Sequence, residues 1–117
     1  MEDFVFEHLM EGISNEERLG FIIDALNDQI STIHRQIAFY TFEQELHQAY
    51  RKQGYISHQE IGKIFQKHCS AYMGPSVEQS PGSENWWIYL GHFRRFFYTY
   101  TYASGLLISK ALQKKVR

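Results

Sequence analysis

The residues best suited to chemistry lie in one run near the C-terminus, Gly91-His92-Phe93-Arg94-Arg95-Phe96-Phe97-Tyr98-Thr99-Tyr100-Thr101-Tyr102-Ala103-Ser104-Gly105. A phenol hydroxyl or an imidazole N–H can donate a hydrogen bond to an oxygen that gains negative charge during acyl transfer, and such donors matter most where water is excluded. On a helix, Tyr98 and Tyr102 share a face and Tyr100 points roughly opposite. Gly105 lies one turn further along the first face, where a missing side chain leaves room for close approach. Gly91, just before His92, permits an unusual backbone conformation or close approach of another chain. Two phenols above a small residue would make a substrate cleft. The plainer reading of so dense an aromatic stripe is a packed core, the commoner use of such residues.

Metal chemistry is not encoded in the same way. A zinc peptidase helix needs two histidines four apart with a glutamate between them as general base. The six histidines, His8, His34, His47, His58, His68 and His92, contain no such pair. Glu-x-x-His spacing for a carboxylate-bridged di-iron site is absent too. Glu43 and His47 stand four apart, which reads as a solvated helix pair rather than half a metal site. His68 beside Cys69 reads as a helix residue next to a buried thiol. No metal ligand set is assigned, and no nucleophile with an adjacent base is visible.

The elements that must position the aromatic run read as all-α. Ser14-Asn15-Glu16-Glu17 and Ser57-His58-Gln59-Glu60 are capping boxes. After the first, Leu19, Ile23, Leu26, Ile30, Ile33, Ile37 and Tyr40 recur at steps of four and three. The pattern continues through Phe42, Leu46 and Tyr50 to a stop at Gly54, predicting one long helix over about 15–53, kinked or straight, with no proline to mark a kink. Ile61, Ile64, Phe65, His68 and Tyr72 predict a helix over about 58–72. Both prolines fall in the loop 73–84. The aromatic segment 86–105 leads into a C-terminal helix ending near 115, with Lys114 and Lys115 suited to a helix terminus. Alternation of Tyr with Thr over 96–102 would also permit a strand, but its neighbours favour helix. A short helix from Phe4 to Met10, carrying Phe6 and Leu9, precedes Gly12. The expectation is a helical bundle with one long central helix, residues 1–117 forming a single segment.

Composition narrows the partners. Twelve Lys plus Arg against thirteen Asp plus Glu give a net charge of −1, so no basic field exists to attract nucleic acid. No stretch reaches membrane-spanning length. Met1-Glu2-Asp3-Phe4 has neither the basic nor the apolar region of a secretory signal. A single cysteine, Cys69, suits a reducing compartment, and the cytoplasm is the expected location.

Three segments together resemble the oligoendopeptidase F branch of the thimet-oligopeptidase-like zinc metallopeptidases, and the resemblance covers almost the whole chain. The family segment Pro-His-Phe-x-x-x-Phe-Tyr-Val-Tyr-x-Tyr-Ala-x-Gly is matched in register by residues 91–105. Arg35-Gln36-Ile37-Ala38-Phe39-Tyr40-Thr41-Phe42-Glu43 resembles the family helix Arg-Gln-x-x-Phe-x-x-Phe-Glu, and Gly74-Pro75-Ser76-Val77 resembles a Gly-x-x-Val loop before a Trp-rich segment. The resemblance implies a zinc-dependent oligoendopeptidase acting on short peptides. It also implies that His92, Tyr98 and Tyr102 contact substrate and stabilise the tetrahedral intermediate, with Tyr100, Gly91 and Gly105 on the substrate side.

Departures from the pattern qualify this. The family's His-Glu-x-x-His motif and third zinc ligand precede the matching region, and Glu2 corresponds to a glutamate that does not bind the metal. The resemblance therefore implies zinc in a complete enzyme, none in this chain, and an upstream chain or region that carries the metal site. Gly91 replaces a common proline, and Arg94-Arg95 replace less basic residues, a change that bears on substrate preference. The alternative expectation is a noncatalytic helical interaction module that keeps the fold and self-associates as a homo-oligomer.

Overall fold

The computed structural model describes Val5, His8, Met10 and residues 12–116. Among the described residues there are four α-helices and two short 3-10 helices of full extent and no strand, so the all-α expectation holds. The short helix expected over Phe4 to Met10, with Glu2, Phe6 and Leu9, lies outside the described residues except at Val5, His8 and Met10. The chain divides into two compact units, Met1–Ile30 and Ser31–Arg117.

Helix α1 spans Asn15–Thr32 and begins at the first capping box. The Glu17 N–H donates to the Ser14 hydroxyl oxygen at 3.3 Å, while the Ser14 N–H donates to Glu17 Oε2 at 3.0 Å. The bond from the Ser14 hydroxyl is the main reason that the Glu17 carboxyl sits below its usual pKa. No residue of α1 is buried, and Leu19, Ile23, Leu26 and Ile30 are exposed.

Helix α2 spans His34–Gln53, so helical backbone runs from Asn15 to Gln53 with one interruption. The break falls at Ile33 (φ −105°, ψ −70°). Ser31, Thr32 and Ile33 are poor helix formers in series, two of them β-branched, and this sequence marks the break where proline does not. The helix stops at Gly54, whose φ of 73° suits a residue without Cβ and whose N–H donates to Tyr50 O at 2.8 Å.

Helix α3 spans His58–Met73 and starts at the second capping box, with both reciprocal Ser57–Glu60 bonds formed. It packs along α2, and the core lies at this contact. Phe39 and Phe42 of α2 meet Phe65 and Cys69 of α3, with Leu46, Ile61, Ile64, Tyr72, Trp87, Leu90 and Phe93 around them. The rings are ordered against one another: Phe42 lies edge-on to Phe65 at 5.1 Å and to Phe93 at 5.0 Å, and Phe39 stacks on Phe65 at 5.8 Å. Each such pair adds about 0.5–1.5 kcal/mol beyond burial. Burial pushes the Cys69 thiol up to about 11, with Arg35 pulling it partly back, so the thiol is a small core hydrophobe at neutral pH.

The loop after α3 is tied back to that helix by Gln79, whose amide donates to Gln66 O at 3.4 Å and to the Ser70 hydroxyl. A 3-10 helix, Ser83–Ile88, then crosses α3 at Gly62, where an added Cβ would come within 3.2 Å of Glu84. A second 3-10 helix covers Gly91–Arg94. The Arg94 guanidinium donates to Ile88 O at 3.1 Å and joins the two.

The aromatic run is therefore not one continuous helix. Phe96 and Phe97 adopt left-handed backbone (φ 43° and 53°), and α4 begins only at Tyr100, running Tyr100–Val116. Bulky residues with positive φ are uncommon and cost roughly 1–2 kcal/mol each, so tertiary contacts must hold them. Among the described residues, no helix is long and apolar enough to cross a membrane.

Candidate active site

His92 is placed by its neighbour. Phe93 inserts into the core between Phe39 and Phe42, which fixes the short 3-10 turn and points His92 away from that packing. Tyr98 follows the left-handed pair, and Tyr102 sits one turn later in α4. The turn between them is closed by Thr101 N–H donating to Tyr98 O at 3.1 Å and Tyr102 N–H to Thr99 O at 3.4 Å.

These three side chains converge. His92 Nε2 lies 2.7 Å from the Tyr102 hydroxyl. The His92 ring stacks on Tyr98 with centroids 5.9 Å apart, and Tyr102 meets both rings edge-on, at 5.5 Å from His92 and 5.8 Å from Tyr98. With Gly91 and Arg95 they line a cavity of about 250 Å³. The Arg95 guanidinium carbon lies 5.5 Å from the Tyr98 ring centroid, a cation–π placement.

The covered ring nitrogen bears on the tautomer. His92 Nδ1 is covered and has no partner. A proton there would be an orphaned buried donor, whereas a bare lone pair is the milder defect, so the neutral ring carries its proton on Nε2. Nε2–H then donates to the Tyr102 oxygen and leaves the phenolic hydrogen free. A phenol that accepts at oxygen is a better donor from the same oxygen, because consecutive bonds polarise one another.

Not every expected residue joins this group. Tyr100 is 58% exposed and does not line the cavity, and because α4 begins at Tyr100 the shared helix face expected for Tyr98 and Tyr102 does not exist. Gly105 has open space around it but is not part of the cavity wall, and Gly91 lines the wall without a left-handed backbone.

A second polar group crosses between α2 and α3. His68 bonds through Nε2 to Glu45 at 2.7 Å and through Nδ1 to the Thr41 hydroxyl at 3.0 Å. Lys67 adds two bonds to the same carboxylate, and this contact, ahead of His68, holds Glu45 below the usual carboxylate range. A hydroxyl, an imidazole and a carboxylate in line have the outline of a catalytic triad. The Thr41 hydroxyl, however, lies 3.0 Å from Ile37 O and 3.1 Å from Ala38 O, so its hydrogen is committed to its own helix. The group is a cross-link between helices. Among the described residues, no three of His, Cys, Asp and Glu are grouped to hold a metal ion.

Glu43 is the residue that sequence reasoning misplaced. Read as the solvated partner of His47, it is 2% exposed, with His47 Nε2 at 3.9 Å. Its Oε1 accepts from the Phe97 N–H at 2.8 Å. The signal was present: Phe39, Phe42, Glu43 and Leu46 share the core-facing stripe of α2, so a carboxyl at that position is buried unless the helix turns.

A peptidase class is what the known relatives of this chain have in common. The chain is 25% identical over 117 residues to the "Oligoendopeptidase F homolog" of Borreliella burgdorferi, covering 99% of this chain and 20% of that protein. Against the chromosomal oligoendopeptidase F of Lactococcus lactis subsp. cremoris it is 25% identical over 116 residues, covering 98% and 19%. The plasmid-encoded oligoendopeptidase F of the same organism is 26% identical over 108 residues, covering 92% and 18%. The chain thus resembles oligoendopeptidase F in its C-terminal portion along nearly all its own length, and spans about a fifth of the length of these relatives. No family model and no solved structure matches it.

Proposed function

We propose that this chain forms the substrate-side wall of a zinc-dependent oligoendopeptidase that hydrolyses short peptides in the cytoplasm. The single observation that carries the reading is the cavity in which His92, Tyr98 and Tyr102 meet, with His92 Nε2 2.7 Å from the Tyr102 hydroxyl. The names of the relatives supply the substrate class.

In this reading the Tyr102 hydroxyl donates to the carbonyl oxygen of the scissile peptide, and the bond strengthens as that oxygen gains charge. His92 orients and polarises the phenol through Nε2–H. Tyr98 stacks on the His92 ring and Arg95 lies beside Tyr98, which holds the ring pair in place for the incoming peptide. Tyr100, Gly91 and Gly105 lie along the approach of the peptide. Zinc would supply activation of the attacking water in the complete enzyme. In this reading the metal and its general base come from a partner region; among the described residues no three of His, Cys, Asp and Glu are grouped to hold a metal ion.

The test is complementation. Mixed with a region that carries a His-Glu-x-x-His zinc site, the chain should support cleavage of short peptides; Tyr102→Phe should lower turnover on the order of a hundredfold, the usual loss for one oxyanion donor, and His92→Ala should lower it by releasing the phenol. Cleavage that proceeds equally well with His92→Ala would remove the assigned role.

A second reading rests on a different observation. Leu19, Phe21, Ile22, Ile23, Leu26 and Ile30 of α1 are 39–57% exposed. A noncatalytic module that self-associates through this stripe would cover it. Sedimentation of the chain as a monomer over a wide concentration range would rule that reading out.

A further inference from the structure

We infer that Glu43 is a positioning residue for the His92–Tyr98–Tyr102 cluster, acting by holding the left-handed Phe96–Phe97 pair through the Phe97 amide. This rests on the reading of that cluster as the peptide site and extends it to a residue 54 positions from Phe97 in sequence.

Glu43 is 2% exposed, and its Oε2 is buried without a partner. Burying such a group is costly unless its bonds repay it. Its one short bond is to the Phe97 N–H, at 2.8 Å. That bond pairs a part-buried amide donor, and a donor left unmade away from water is costly, so the contact is a strong one. That strength is spent at a place that needs it, since Phe96 and Phe97 both hold positive φ.

The neighbours of Glu43 on α2 complete the grip. Tyr40 meets the Phe97 ring edge-on at 5.7 Å, and His47 lies over it at 5.1 Å. Tyr40, Glu43 and His47 share one face of α2 by their three- and four-residue spacing, so one helix face fixes both the amide and the ring of Phe97. The next residue is Tyr98, stacked on His92. Thr99, which follows, is fully buried, and α4, which carries Tyr102, begins at the next residue. Phe96 is 80% exposed and contributes little packing, so its strained backbone is a consequence of the path that Phe97 must take.

The test uses the 117-residue chain and reads the His92 ring-proton resonances by NMR, without peptide. In the native chain the rings of Tyr98 and Tyr102 displace these resonances from their free-histidine positions. Glu43→Leu should abolish that displacement while the Phe65 and Phe93 ring resonances of the core keep theirs. Glu43→Gln, which retains an acceptor oxygen for the Phe97 N–H, should preserve most of it. Phe96→Gly in the Glu43→Leu background should restore part of it, because glycine adopts positive φ without strain. A purely packing role would predict no rescue by either change.

Unaltered His92 resonances in Glu43→Leu would overturn the inference. Should Glu43→Leu fail to fold, hydrogen exchange at the Phe97 amide of the native chain decides: strong protection supports the bond, and exchange at the unprotected rate overturns it. Loss of the cluster in Glu43→Leu together with failure of the native chain to take peptide would sink the peptide reading alone. Peptide capture at His92 that is unchanged in Glu43→Leu would sink this one alone.

Discussion

Two aromatic regions of this chain use the same residue types to opposite ends. In the first, Phe39, Phe42 and Phe65 interdigitate from regular helices, their backbone is unstrained, and the rings meet in edge-on and stacked pairs within the core. In the second, Phe96, Phe97, Tyr98 and Tyr102 lie on a path that includes two left-handed residues, a buried carboxyl and a covered imidazole nitrogen without a partner. The first region minimises local conflict. The second retains several conflicts at once, and such positions are where function tends to sit. Phe93 belongs to the first region and His92 to the second, so the rigid core sets the position of the candidate site through a single peptide unit.

The largest expected effect breaks the first region. Phe42 is 1% exposed and touches the rings of Phe65 and Phe93. Phe42→Ala should cost about 3–5 kcal/mol in chemical denaturation, a large share of the stability of a chain this size. It should also release His92, because Phe93 loses its anchor. A variant that lost that stability but kept the His92 ring resonances in their native positions would show that the two regions are independent.

The smallest expected effect tests the link between α2 and α3 outside either aromatic region. The Glu45 carboxyl is held low by Lys67 and then His68, so the folded state favours its charged form. That contribution is complete above the unfolded carboxyl pKa of 4.5 and is lost as pH falls through the lower folded value. Glu45 is partly exposed, so solvent screening limits the effect to about 0.2–1 kcal/mol. Glu45→Gln should lower the melting temperature slightly at neutral pH and converge with the native chain in acid. A gap between the two that widens on acidification would contradict the assigned direction.

The two regions also differed in how far the sequence announced them. The capping boxes at Ser14 and Ser57 and the stop at Gly54 were legible because each is decided by residues within one turn. The apolar stripe Phe39, Phe42, Leu46 named the core face of α2 for the same reason of periodicity. The break at Ile33 was less plain, since it depends on a run of weak helix formers and not on one breaker.

The left-handed pair at Phe96–Phe97 was not legible. Nothing local demands positive φ from two phenylalanines, and the group that holds them is Glu43, half the chain away. The convergence of His92, Tyr98 and Tyr102 came from the resemblance and from helical spacing, although Tyr98 proves to lie just before α4 and not within it. Arg95 was noted only as a basic replacement. Its place over Tyr98 required the turn that the sequence hid.

The central claim is that the His92–Tyr98–Tyr102 cavity receives a peptide. The direct measurement is a titration of the 117-residue chain with a series of short unlabelled peptides, followed at the ring resonances of His92, Tyr98, Tyr102 and Tyr100. Saturable displacement of the first three, with the exposed Tyr100 responding less and His92→Ala abolishing the response of Tyr102, is the expected result. Displacement confined to α1, or none at His92 at any peptide concentration, would contradict the account.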